Sequence, residues 1–192
     1  MSPREDSKSE RTRRRIRDAA AELFASRSFN AVSTRAIAAR AGVDAALIHH
    51  YFGSKEGLFD AVMAEGVDPA AVVAQVTTQP REDWGVTVVR VMERIWTSPA
   101  APALRALIRR ALSDSRSPLR PWVTRTILAP MARQLDLPEP EASRRAALVG
   151  SHLIGMIVAR HLVGVEPLAR LSSEEVVDLL GPVIQRSLTG EH

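Results

Sequence analysis

Apolar residues recur along this chain at three- and four-residue steps and nowhere in a sustained alternation of β-branched residues, so helices and not strands must organise it. The spacing predicts an all-α fold. At 192 residues, 45% of them hydrophobic, the chain can bury a core without covalent staples, as one large domain or two small ones. It contains no cysteine, which removes disulfide frameworks, thiolate catalysis and cysteine-type zinc sites and leads us to expect a cytoplasmic protein. The N-terminus is charged and no apolar stretch follows it, so a secretory signal is not expected. No apolar run reaches the roughly 18 residues of a membrane span. The longest, Ala146 to Ala159, is interrupted by His152 and flanked by Arg144, Arg145 and Arg160, and is expected to be a buried helix without a membrane partner.

Positive charge is concentrated at the front. Residues 1–61 carry 11 Lys or Arg against 8 Asp or Glu, and the remainder carry 15 against 14. Arg11, Arg13, Arg14, Arg15 and Arg17 form a tight cluster whose guanidinium forks match phosphate oxygens, although a solvated helix face has the same composition.

Residues 1–8 are expected to be a disordered basic tail. Ser7 and Glu10 have the spacing of a capping box opening a first helix, which buries Ile16, Ala19, Ala20, Leu23 and Phe24 and ends near Arg27. A second helix starts at a Ser33 or Thr34 cap, turns Ile37 and Ala38 inward and stops at Gly42. Asp44 then caps a short third helix through His50, and a fourth runs from about Lys55 to Glu65. Further helical patterns cover about 70–79, 81–97, 103–114, 119–135, 139–163 and 172–188, with a kink or break expected at Pro130 and at Pro182.

The stretch from Thr34 to Phe52 reads as two short helices around a glycine turn. Ala38 is small where they would cross, and Val43 and Ile48 lock the second against the first. From Asp44 to His50 the helix would be about 10 Å long, which fits a major groove about 12 Å wide. An ordinary helical hairpin has the same spacing.

Arg35-Ala-Ile-Ala, Ala41-Gly-Val and Ile48-His-His-Tyr-Phe-Gly-Ser-Lys-Glu-Gly-Leu-Phe59 resemble the signature of the TetR family of transcriptional regulators, and the likeness spans about Arg11 to Phe59. It implies a three-helix helix-turn-helix DNA-binding domain over 9–53, followed by a helical ligand-binding and dimerisation domain over 54–192. It implies a recognition helix at Asp44 to His50, with Ser33, Thr34 and Arg35 at the DNA backbone beside Arg13. Positions matching Ala45, Ala46 and Leu47 would face bases, His49, His50 and Tyr51 would touch bases or phosphates, and Lys55 would touch phosphate. Leu47 stands where the family usually has a hydroxyl residue and Ser28 where it has glycine. Tyr51 can also pack its ring on the first helix while its hydroxyl points at a phosphate.

In the second domain, Met92, Trp96, Trp122, Arg125, His152 and Met156 are candidates for the lining of a pocket for an unidentified small-molecule effector, although such residues also make plain core. Small residues between Arg145 and His161 leave room for close helix approach. Leu148, Ser151, Ile154, Gly155 and Val158, with Val176, Leu180 and Ile184 on the last helix, are expected to form a homodimer seam, although a monomer could bury the same faces. Such a dimer would bind a pseudo-palindromic double-stranded operator as a repressor that its effector releases. Two other readings remain: a helical protein-interaction module without specific DNA readout, and an all-α enzyme. The second lacks Gly-x-Ser-x-Gly, a phosphate loop and His-Glu-x-x-His, and no metal, cofactor or catalytic residue is expected.

Overall fold

The computed structural model describes residues Lys8 to Gly190, so the expected tail and the Ser7 half of the capping box lie outside the described residues. Among those described, every regular element is helical. The helices are α1 (Lys8–Ser26), α2 (Thr34–Ala41), α3 (Ala46–Phe52), α4 (Lys55–Gly66), α5 (Pro69–Thr77), α6 (Trp84–Thr97), α7 (Ala101–Leu112), α8 (Leu119–Val123), α9 (Ala129–Gln134), α10 (Glu141–Met156) and α11 (Ser173–Thr189). They form two compact units. The first comprises residues up to Gly66 together with Ala106–Leu119, and the second comprises Val67–Arg105 and the residues from Arg120 onward.

The first unit therefore extends past the boundary placed after residue 53. The reason is packing: α4 buries Leu58, Phe59, Val62 and Met63, and the Phe59 ring meets Phe24 of α1 and Phe29, which opens a short 3-10 turn, Phe29–Ala31. Ile16, Ala19, Ala20 and Phe24 give α1 its buried face. Two ion pairs tie distant parts of this unit, Arg17 to Glu65 at 2.7 Å and Arg40 to Glu22.

In the second unit α6 and α11 make the most extensive contact. A methyl group on Gly85 would come within 2.4 Å of the Gly181 carbonyl oxygen, so this approach needs a residue without a side chain. Gln185 of α11 secures the start of α6, accepting from the Gly85 N–H at 2.7 Å and donating to the Arg81 carbonyl at 3.0 Å. Ser172 and Glu175 form a complete capping box at the start of α11, which continues through Pro182 without the expected break. At the other expected disruption, α8 passes into α9 through a widened π segment, Thr124–Leu128. Pro130 lies just beyond it and has no N–H to donate back into the preceding turn.

A second π segment, Ile157–Val163, extends α10 and carries Arg160 and His161 onto Glu93 of α6. Glu93 is 1% exposed and each basic side chain 7%. The Glu93 carboxylate accepts from His161 Nε2 at 3.3 Å and the Ser173 hydroxyl at 3.0 Å, and an Arg160 nitrogen lies 3.4 Å away. Burial pushes this carboxyl upward, but the hydrogen bonds from His161 and Ser173 and the charge of Arg160 outweigh it and hold the group below the usual carboxylate range.

The stretch from Ala146 to Ala159 is not the buried helix its composition suggested. Only Ala146, Val149 and Gly150 are buried there, while Leu148 and Ile154 are exposed. The helix over Glu141–Val163 is long and apolar enough to cross a membrane by length and composition, a criterion that core helices of soluble proteins and signal sequences also meet.

Replacing Glu93 by Ala leaves Arg160 buried without its counter-charge and is expected to cost about 3–5 kcal/mol in urea unfolding; a loss below about 1 kcal/mol would show the cluster to be dispensable. The lowered pKa sets the sign of the pH dependence: the contribution of Glu93 is present above the ordinary carboxylate range and lost as pH falls through its lower folded value.

Candidate nucleic-acid interface

Local signals build the turn between α2 and α3. The Ser33 side chain accepts from the Ala36 N–H at 3.1 Å, satisfying one of the free donors at the start of α2. At the far end Gly42 adopts φ 64°, ψ 44°, the left-handed conformation that lets the chain leave the helix. Arg15 of α1 then closes α2 by donating to the Ala41 and Gly42 carbonyls. The Asp44 carboxylate accepts from the Ala46 N–H at 2.7 Å and starts α3, whose Ile48 is fully buried.

That burial fixes which face of α3 is left for a ligand. Ala46, His49 and His50 are exposed, and Ala45, Leu47 and Tyr51 are half-buried beside them. The seven residues of α3 span about 10 Å. His49 Nδ1 lies 3.0 Å from the Gly53 carbonyl, which can only accept, so Nδ1 donates its proton there. The His50 ring stands edge-on to Tyr51 at 4.9 Å between centroids. Tyr51 accepts through its hydroxyl from Ser9 of α1 at 3.3 Å, which joins its ring to the first helix while the oxygen stays at the surface.

Arg35 is exposed and Thr34 half-buried in the first turn of α2, where free N–H groups and the helix dipole favour an anion. Arg13 is exposed, with its guanidinium carbon 5.5 Å from the Phe52 ring centroid. The structure thus brings Ser33, Thr34, Arg35, Asp44, Ala45, Ala46, Leu47, His49, His50, Tyr51 and Arg13 into one unit, on elements that fix one another.

Lys55 differs from its expected place. Its ammonium donates to the Phe29 and Val32 carbonyls, both at 3.0 Å, and sits 4.2 Å from the Phe29 ring centroid. Two of its three donors are therefore engaged inside the unit, and its first role is to hold the 3-10 turn that leads into α2. The basic cluster of α1 is likewise divided, because Arg15 closes α2 and Arg17 pairs with Glu65. Sequence spacing could not separate these from Arg13, since their partners lie 26 and 48 residues away.

In the second unit the six pocket candidates differ in their settings. Met92, Trp96 and Trp122 are core, Arg125 is exposed, and His152 turns its Nδ1 to the Leu148 carbonyl of its own helix at 2.8 Å. Met156 is half-buried. Trp96 stacks on His161 at 5.9 Å and walls the Glu93 cluster, which sequence reasoning missed because its members are far apart in the chain. A cavity of about 10 Å³, room for a single water, is lined by Val73, Val76, Trp84, Val88, Met131 and Leu188, none of them among the six.

The expected dimer seam divides in the same way. Leu148, Ser151, Ile154 and Gly155 of α10 are exposed and Val158 is half-buried. Val176, Leu180 and Ile184 are buried within the chain itself, so they belong to its core and not to an outward seam. The exposed apolar residue on α11 is Leu179.

Residues 16–62 match the family described as "Bacterial regulatory proteins, tetR family", and residues 82–188 match "Tetracyclin repressor-like, C-terminal domain". A crystal structure of a TetR-family regulator from Streptomyces coelicolor A3 is 31% identical over 98% of this chain and 99% of its own, with a TM-score of 0.73. A TetR-like transcriptional regulator from Rhodococcus sp. RHA1 shares the fold, with a TM-score of 0.58 at 20% identity over 100% of both chains. An HTH-type transcriptional regulatory protein of Mycobacterium tuberculosis is 46% identical over 69 residues, which are 34% of this chain and 32% of that protein. The match thus spans about a third of the length of this curated relative.

Substituting Gly42 by Ala forces a side chain into the left-handed region and sets its Cβ 2.8 Å from Arg15. A loss of about 1–2 kcal/mol is expected in thermal unfolding. An unchanged midpoint would mean that the turn relaxes without strain.

Proposed function

Because the chain belongs to the TetR family of bacterial transcriptional regulators, we propose that it acts in the cytoplasm as a homodimeric repressor of a pseudo-palindromic operator, from which a small-molecule effector releases it. The observation that carries this reading is the exposed face of α3, held from behind by fully buried Ile48 and started by the Asp44 cap. A short helix anchored on one side and open on the other can enter a major groove without losing its seat.

Side chains sort by what they can contact. Thr34, Arg35 and the free N–H groups of α2, with Arg13 and the remaining donor of Lys55, suit phosphate oxygens and set register. Ala45 and Leu47 suit thymine methyl groups, and His49, His50 and Tyr51 suit base edges or the adjoining backbone. Dimerisation uses the outward face of α10 at Leu148, Ser151, Ile154 and Gly155, with Val158 at its edge. That face is apolar and uncovered in the single chain. The effector binds in the second unit and favours a conformer whose two α3 helices no longer match grooves about 34–36 Å apart.

Selection from a pool of random duplexes is expected to enrich a pseudo-palindrome. With about eight phosphates neutralised, log affinity falls with log salt at a slope of about -7. Arg35→Ala should weaken binding to all sequences and reduce that slope, whereas His49→Ala should relax preference at particular positions. Recovery of random sequence would remove the reading. Placing Glu at both Leu148 and Ile154 is expected to give a monomer in sedimentation, with weaker binding to the selected duplex; a dimer of unchanged strength would remove α10 from the seam.

A further inference from the structure

The 3-10 turn Phe29–Ala31 joins α1 to α2 and is gripped from both ends by opposite charges. Lys55 holds the carbonyls of Phe29 and Val32. At the other end the Phe29 N–H donates to Asp114 Oδ2 at 2.9 Å, a partner 85 residues away in the chain. The second oxygen of Asp114 accepts from the Arg116 N–H at 3.1 Å, so one carboxylate fastens the turn after α7 to the turn before α2.

Apolar packing sets the same two turns in place. Leu107 and Ala111 of α7 are buried, and they line one small cavity with Phe24, Phe29, Phe59 and Asp114. Phe24, Phe29 and Phe59 contact one another at 5.4 to 5.8 Å between centroids. All these residues belong to the first unit, although none on α7 lies in the stretch that resembles a DNA-binding motif.

We propose that Asp114 is a positioning residue for DNA recognition. It fixes the Phe29 amide, and through the turn it fixes Ser33 and Thr34 at the start of α2, which set the register of α3 on the duplex. The chemistry fits such a role, since a carboxylate accepting from a backbone N–H makes a charge-assisted hydrogen bond, stronger than one between neutral groups. Two residues beyond the turn, the Ser33 side chain caps α2. A displacement of Phe29 is therefore delivered to the start of α2 and through it to the seat of α3. α7 begins among residues of the second unit, so the chain runs from there to Asp114, and one hydrogen bond joins Asp114 to the Phe29 amide. This inference rests on the regulator reading above.

The test uses the full-length protein, the duplex recovered by selection and a random duplex of equal length, with fluorescence anisotropy for affinity and amide hydrogen exchange for the Phe29 N–H. Asp114→Ala is expected to lose about tenfold in affinity for the selected duplex, the size expected for one charged hydrogen bond. Binding to the random duplex should change less than about twofold, since phosphate charge is untouched, while the Phe29 amide exchanges faster. Asp114→Asn keeps an oxygen acceptor and should restore most of both. If Asp114→Ala fails to fold, Asp114→Ser serves in its place, because its shorter side chain can keep the local turn to Arg116 but falls short of Phe29.

An unchanged ratio of selected to random affinity in the Ala or Ser variant, whatever its melting temperature, would mark a merely structural role and overturn the proposal. So would an Asn variant as impaired as Ala. A wild-type protein that prefers no duplex removes the regulator reading itself, which distinguishes that failure from this one.

Discussion

Phe24, Phe29 and Phe59 come from α1, the following turn and α4, and their rings meet edge-to-face and stacked at the centre of the first unit. The helices that carry them leave a frame into which α2 and α3 bury Ile37 and Ile48. Close-packed interiors transmit displacement instead of absorbing it, so a shift at this cluster would move α2 and α3 as a body. The polar contacts around it serve the same end. Lys55 lies over the Phe29 ring and Arg15 closes α2, so basic residues that could have served DNA instead fix the part that meets it.

The second unit is built on a different compromise. Glycine at 85 lets the backbone of α6 approach α11 closely, and Val176, Val177 and Ile184 of α11 are buried in the core. Against this apolar body stands the Glu93 cluster, which ties α6, the end of α10 and the start of α11 through one buried carboxylate. Buried ion pairs contribute little net stability but are costly to break, so the cluster specifies one arrangement of three elements more than it strengthens it. Meanwhile α10 keeps Leu148 and Ile154 in the open, the feature on which the proposed dimer depends.

Features written in local sequence were legible in it. The Ser33 cap, the left-handed Gly42 and the Asp44 cap each need only a neighbour a few residues away, and the structure has all three. Features that depend on a distant partner were not. Nothing in the run around Lys55 announces Phe29 and Val32 as acceptors, and nothing near Asp114 announces the Phe29 amide. Periodicity reported that α10 and α11 each have an apolar face but not what covers it. Val176, Leu180 and Ile184 thus turned out to be core, while the stretch from Ala146 to Ala159, which looked buried, carries exposed leucine and isoleucine. Residue type left Trp96 and Met92 as either pocket lining or plain core, and both are buried.

If α3 enters the major groove, chemical protection of the duplex will reveal it. Dimethyl sulfate methylates guanine N7 in the major groove and adenine N3 in the minor groove, so one reaction reports both. With α3 as the probe, bound protein should shield guanine N7 in two patches about one helical turn apart and leave adenine N3 between them reactive. Shielding confined to adenine N3, or spread evenly along the duplex, would mean that α3 is not the major-groove probe.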